Sequence, residues 1–112
     1  MMKMEIKMNE EKINREKKYR LQGMYKRLDD GFADLGMLKV EDGSDTLMYY
    51  GINEAKDFAI FGRMVLALKR EEWFMDNVVV WRLYESDDTV DPDDFAVNDL
   101  VEYYRKKGLI RR

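Results

Sequence analysis

Cysteine and histidine are both absent from the 112 residues of the chain. Without cysteine there is no disulfide framework, and no thiolate to act as nucleophile or metal ligand. Without histidine the commonest general acid–base near neutral pH is missing, and the usual structural and catalytic zinc sites cannot be assembled. Serine occurs only as Ser44 and Ser86, neither in a Gly-x-Ser-x-Gly elbow. Gly62-Arg63-Met64 through Lys69 lacks the second glycine and the Lys-Ser/Thr ending of a phosphate loop. The longest apolar stretch, Phe58 to Leu68, is interrupted by Gly62 and Arg63 and is too short to span a bilayer. The start, Met-Met-Lys-Met-Glu-Ile-Lys-Met, is too short and too charged for a signal peptide, so a cytoplasmic location is expected. Carboxylate, lysine or tyrosine chemistry is all that remains for catalysis. The expectation is a non-enzymatic protein with no catalytic residues, metal or cofactor.

What is present is an ordinary apolar fraction, 46%, under an unusually charged surface, with 38% of residues Asp, Glu, Lys or Arg. One proline and no Gly/Ser-rich linker imply a single domain, here residues 9–112. Residues 1–8 read as an N-terminal extension, with Met8 as an alternative start. Asn9-Glu10-Glu11 opens a helix, with a capping side chain and two acids beside the positive end of the dipole. Leu21, Met24, Tyr25, Leu28, Phe32 and Leu35 recur at helical spacing, and Gly36 can end the segment. A long N-terminal helix follows, its first part (9–20) a solvated extension supported by Glu11–Arg15, Lys12–Glu16 and Glu16–Arg20. Met37–Glu41 and Thr46–Tyr50, separated by Asp42-Gly43-Ser44-Asp45, read as a short β-hairpin. Asn53 caps the next helix, which is apolar around nearly its whole circumference from Phe58 to Leu68 and is therefore expected at the centre of the core.

In residues 71–85, Glu71-Glu72-Trp73-Phe74 opens like a helix while Val78-Val79-Val80 favours a strand; the balance tips slightly to a helix. Asp91-Pro92-Asp93-Asp94 then places a cap, a first-turn proline and two acids ahead of an inward stripe of Val97, Leu100, Val101 and Tyr104. Arg105-Lys106-Lys107 suit the negative end of that helix, and Gly108 its left-handed termination. The expected architecture is α+β but mostly helical: long N-terminal helix, short hairpin, buried central helix and capped C-terminal helix.

Charge is distributed unevenly. Residues 1–40 hold ten basic and seven acidic side chains, while 41–112 hold ten and sixteen. From Glu85 to Glu102 the chain carries Glu85, Asp87, Asp88, Asp91, Asp93, Asp94, Asp99 and Glu102 and no basic residue. Capping and solvation account for Asp91, Asp93 and Asp94. The remainder suggests an acidic surface that docks on, and modulates or inhibits, a basic protein partner, one that itself binds nucleic acid being a natural choice. Tyr103, beside Glu102, is the preferred aromatic anchor. Calcium does not fit this run, because no frame supplies the glycine, alternating acids and terminal glutamate of an EF-hand loop.

The alternative is a nucleic-acid-binding regulator that uses Lys12, Arg15, Lys18, Arg20 and Lys26 on the basic N-terminal helix. Glu10, Glu11 and Glu16 among them, and a net charge of −3, weigh against it. The sign asymmetry would also suit a homodimer. In composition the chain is similar to many small proteins of bacteriophages and mobile elements. The firmest local expectation is testable. Gly108→Val should lower stability by about 1 kcal/mol or more, read as a shift in the urea midpoint, because a β-branched residue resists the left-handed conformation.

Overall fold

Met2, Met4, Ile6 and Met8 alternate with Lys3, Glu5 and Lys7, and that period of two is the pattern of a strand with one buried face. In the computed structural model, which describes residues 1–40, 45–86 and 95–110, these residues form β1 (Met2–Met8), burying every even-numbered side chain. β1 is followed by α1 (Glu10–Glu16), α2 (Leu21–Asp34), β2 (Leu38–Val40), β3 (Leu47–Tyr50), α3 (Asp57–Leu68), α4 (Glu72–Met75), β4 (Val78–Glu85), β5 (Ala96–Asp99) and α5 (Leu100–Lys106). The strands make one antiparallel sheet in the order β2-β3-β1-β4-β5. Its first four strands interleave two split β-α-β units, the ferredoxin-like connectivity, and β5 extends the edge.

The mostly helical architecture is thus overturned in its main points. Residues 1–8 are the middle strand of the sheet, with Ile6 lying between Leu47 and Trp81 and Met4 between Tyr49 and Leu83. The long N-terminal helix is two helices. Lys17 takes a left-handed conformation (φ 55°) and donates its N–H to the carbonyl of Ile13, ending α1. In an unbroken helix Lys17 and Arg20 would continue the Met24–Leu28–Phe32 face into the core, and the elbow instead leaves both exposed. Nor is α1 a solvated extension. Ile13 is buried, the Asn9 N–H reaches the Asn77 carbonyl at 2.7 Å, and Lys12 Nζ reaches the Asp76 carbonyl at 2.5 Å. Of the anticipated pairs along it, Arg15 does meet Glu11 at 3.3 Å.

Four further corrections concern the second half. The helix expected at the centre of the core, α3, lies against the sheet through Phe61, Met64 and Leu68 but leaves Phe58 and Leu66 exposed. Asn53 is not its cap: it sits ahead of the helix with φ 61°, and the buried Asp57 carboxylate accepts the N–H groups of Ile52, Asn53 and Glu54. Residues 78–85 are strand, because pairing along β1 satisfies their backbone where a second helix would leave β1 with an open edge. Ala96–Asp99 are strand as well, paired with β4, so the C-terminal helix starts at Leu100 with Asp99 as its cap. Asp91 to Asp94 lie outside the described residues. The end of that helix is as expected, with Gly108 at φ 78°.

All the helices whose buried residues join the core lie on one face of the sheet. Phe32 stacks on Tyr49 at 3.9 Å, Phe74 meets Trp81 edge-on at 4.9 Å, and Tyr104 stacks on Trp81 at 5.5 Å. Asp29 of α2 fastens the far side by accepting from Tyr49 Oη at 2.7 Å and Lys39 Nζ at 3.2 Å. The turn after β3 has no room for a side chain at Gly51, where a Cβ would lie 2.5 Å from Asp57 Oδ2 and 3.1 Å from the Phe61 ring. Gly23 in α2 meets nothing closer than 3.8 Å. Gly51→Ala should therefore destabilise the domain by about 1–3 kcal/mol, whereas Gly23→Ala should stabilise it by roughly 0.4–1 kcal/mol. Urea denaturation of the two variants beside the wild type reads both signs.

Candidate functional site

The left-handed turn at Lys17 throws Lys17, Lys18, Tyr19 and Arg20 out between α1 and α2, and a groove opens there. It has a volume of about 580 Å³ and is lined by Ile13, Asn14, Lys17, Tyr19, Arg20, Leu21 and Gln22. A second hollow of about 270 Å³ shares Tyr19 and Arg20 with it and continues past Gly23 to Arg27 and Trp73. The N-terminus of α2 faces into this surface. Arg20 occupies the cap position with no side-chain cap, and the first turn contains no acid. The first N–H groups of a helix have no intrahelical partner and carry the positive end of its dipole. Here they are flanked by cations, an arrangement that favours an anion.

Two aromatic residues stand along the same path, the half-buried Tyr19 and Trp73, which belongs to the buried core. Lys18 Nζ lies 5.5 Å from the Tyr19 ring centre, and the Arg27 guanidinium lies 5.8 Å from that of Trp73. Glu71 is the acid nearby: it accepts from Trp73 Nε1 at 2.9 Å and stands 4.0 Å from Arg27. These contacts hold the indole in place and leave Arg20 and Lys17 turned to solvent. Below the groove, Tyr25 Oη donates to Glu10 and ties α2 to α1. Burial, and then the Glu10 carboxylate, push the Tyr25 hydroxyl pKa well up.

The residues singled out in the sequence divide as follows. Arg20 lines the groove and Lys18 borders it through Tyr19. Lys12, Arg15 and Lys26 do not join them, each being engaged elsewhere: Lys12 with the Asp76 carbonyl, Arg15 with Glu11, and Lys26 with Asp30 at 2.7 Å. Lys17 and Arg27 belong to the basic run that suggested nucleic acid, though not to the residues nominated from it, and Tyr19 and Trp73 were not anticipated at all. The positive charges were visible, but the elbow that gathers them was not.

In the acidic region, Asp87, Asp88, Asp91, Asp93 and Asp94 lie outside the described residues. Asp99 caps α5 by accepting the Glu102 N–H at 3.1 Å, and Glu102 pairs with Arg105 at 2.6 Å. Glu85 is exposed at the far end of β4, whereas Asp99 lies opposite Arg82. Tyr103 is half exposed, with Lys107 Nζ 5.0 Å from its ring centre. Among the described residues, then, the acids are dispersed along β4 and α5 and basic residues stand beside them.

The open face of the sheet also carries charge and aromatic rings, and it satisfies them internally. Lys3 Nζ lies 4.4 Å from the ring centre of Phe95, 5.2 Å from Tyr84 and 5.7 Å from Tyr50. Glu5 accepts from Tyr84 Oη at 2.8 Å and from Arg82 at 3.3 Å, and Lys7 pairs with Asp45 at 2.6 Å. No group of three or more acidic side chains among the described residues is placed to hold a metal ion. No helix among them is long and apolar enough to cross a membrane. No family model matches the chain, and neither curated proteins nor solved structures match it significantly.

Tyr25 on α2 and Tyr49 on β3 make stability depend on alkaline pH. Burial is the leading cause that raises the pKa of Tyr25 and of Tyr49, with Glu10 and Asp29 respectively adding to it. A raised folded pKa gives stability that is fully present below the unfolded value of about 10 and is lost as pH rises through the folded value. Urea midpoints should thus fall progressively as pH is raised above about 10. Tyr49→Phe should be less stable at neutral pH and show a shallower alkaline decline.

Proposed function

We propose that this chain is a non-enzymatic binding protein that takes single-stranded nucleic acid across the α1–α2 elbow. The observation that carries the reading is the uncapped N-terminus of α2, opening between Lys17 and Arg20 beside Tyr19 and Trp73. A strand of nucleic acid needs donors and cations for its phosphates, which are found there, and a ring on which a base can stack, a part that falls to the half-buried Tyr19. The groove is open and of modest volume, which suits a chain that passes through it. A net charge of −3 opposes long-range attraction, so the affinity rests on the local cations and falls steeply with salt. A cytoplasmic setting accords with such a ligand.

The second reading keeps the acidic C-terminal region as a docking surface for a basic protein. The half-exposed Tyr103, next to Glu102 on α5, favours it, since exposed aromatic side chains anchor interfaces. The two readings require ligands of opposite charge.

Fluorescence anisotropy with a labelled single-stranded oligonucleotide tests the first. Binding should appear at low salt, with a log–log salt slope of about −0.7 for each phosphate neutralised, hence near −2 if Lys17, Arg20 and Arg27 all engage. Replacing Arg20 and Arg27 together by Ala should weaken binding by about tenfold or more, at roughly 1.4 kcal/mol per decade. Lys26→Ala, a charge loss outside the groove, should change it little. No binding at low salt would eliminate the proposal.

A further inference from the structure

Asn14 and Gln22 line the larger groove at the elbow together with Lys17, Tyr19, Arg20 and Leu21. Asn14 belongs to α1 and Gln22 to the first turn of α2, so each of the two helices that wall the groove brings one amide to it. Both side chains are exposed, and among the described residues neither amide is engaged by a hydrogen bond within the chain. A side-chain amide presents a donor and an acceptor side by side in one plane. Among the described residues no acid lines the groove, and its volume of about 580 Å³ is that of a small-molecule site.

We infer that this groove is a base-recognition pocket whose preferred base is adenine, a proposal that rests on the reading of the elbow as a single-strand site. Unpaired bases are held by a ring that stacks on them and by hydrogen bonds to their exposed edges. The half-buried Tyr19 supplies the ring, and Lys17 and Arg20 the charge for the adjoining phosphate. The amides of Asn14 and Gln22 read the edge. An Asn or Gln amide matches the N6 donor and N7 acceptor of adenine in a bidentate pair. Adenine satisfies two such amides at once, because its amino group carries two hydrogens, one beside N7 and the other beside N1. Cytosine sets its amino group beside a single ring acceptor, and thymine or uracil has one N–H shared between two carbonyls. The N7 edge of guanine carries two acceptors, and its N1 and N2 donors pair best with a carboxylate, which the lining lacks.

The two kinds of contact are separable. Phosphate contacts position a strand without reading its sequence, whereas contacts to base edges specify it. Loss of the cations therefore weakens every strand alike, and loss of the amides removes only the preference. Stacking on Tyr19 is tolerant of sequence, so it does not account for a preference that the amides carry.

Fluorescence anisotropy with labelled homopolymeric strands of A, C or T, equal in length and at one low salt concentration, tests this. The A strand should bind about tenfold or more tighter than the other two, the discrimination of a good bidentate pair. Asn14→Ala and Gln22→Ala in the same chain should bring the A strand to the level of the others and leave the T strand unchanged. Both positions are exposed and alanine is the better helix former, so the urea midpoint should not fall. Gln22→Glu, whose carboxylate only accepts, should shift the preference from A toward C, whose N4 donates. Equal binding of the three strands overturns the adenine preference and leaves the single-strand reading standing. So does a preference that survives the double substitution. Binding of none of them removes the single-strand reading itself, and the preference with it.

Discussion

Everything in this fold depends on one strand being held on both edges. β1 pairs with β3 on one side and β4 on the other, and its four buried side chains form the floor against which the helices pack. Its backbone groups are satisfied only if both neighbours are present, and the two neighbours are far apart in sequence. The sheet therefore closes only when the first residues of the chain meet β3 and β4, and the helices between are positioned by that meeting. Trp81 illustrates the dependence. It lies opposite Ile6, donates Nε1–H to Met4 Sδ at 3.3 Å, and carries Phe74 and Tyr104 on its ring, so one indole joins β1, α4 and α5.

The parts of this arrangement that were legible in the sequence are those fixed by chemistry within a few residues. Asn9 does cap α1, and Gly36 and Gly108 do take the left-handed conformation that ends a helix. Leu38–Val40 and Met48–Tyr50, from the two segments expected to form the hairpin, do pair, while residues 41–44 between them lie outside the described residues. What was not legible needed a partner. β1 has the alternation of a strand, but methionine and charged residues are weak strand formers, and the pattern gains meaning only beside Tyr49 and Trp81. Val78 to Glu85 has comparable helical and extended periodicities, and the unsatisfied edge of β1 decides between them. Asp91-Pro92 and Asp99 both offer helix caps, and pairing of Ala96–Asp99 with β4 selects the second.

The groove follows the same rule. Arg20 and Lys18 could be nominated because positive charge is visible one residue at a time. Trp73 could not, because it meets Arg27 only after α4 has returned the chain to α2. The elbow itself has a readable cause in retrospect. An apolar stripe that includes Ile13 and resumes at Met24, with Lys17 and Arg20 on the same phase between them, cannot be buried as a straight helix. The chain must either bury two cations or bend, and a left-handed residue is the smaller cost, about 1–2 kcal/mol against several for each unpaired buried charge. Breaking the helix at that point creates a second helix N-terminus, and it does so beside the very cations that forced the break.

α3 carries the opposite lesson. Its all-round apolar character predicted a central position, and the sheet could accommodate only one of its faces. Position in the core and need for cover are separate questions: composition answers the second, and only topology answers the first. In this topology the helix layer ends at α3 on its outer side, so the composition that suggested burial within the chain is instead a demand on what lies outside it.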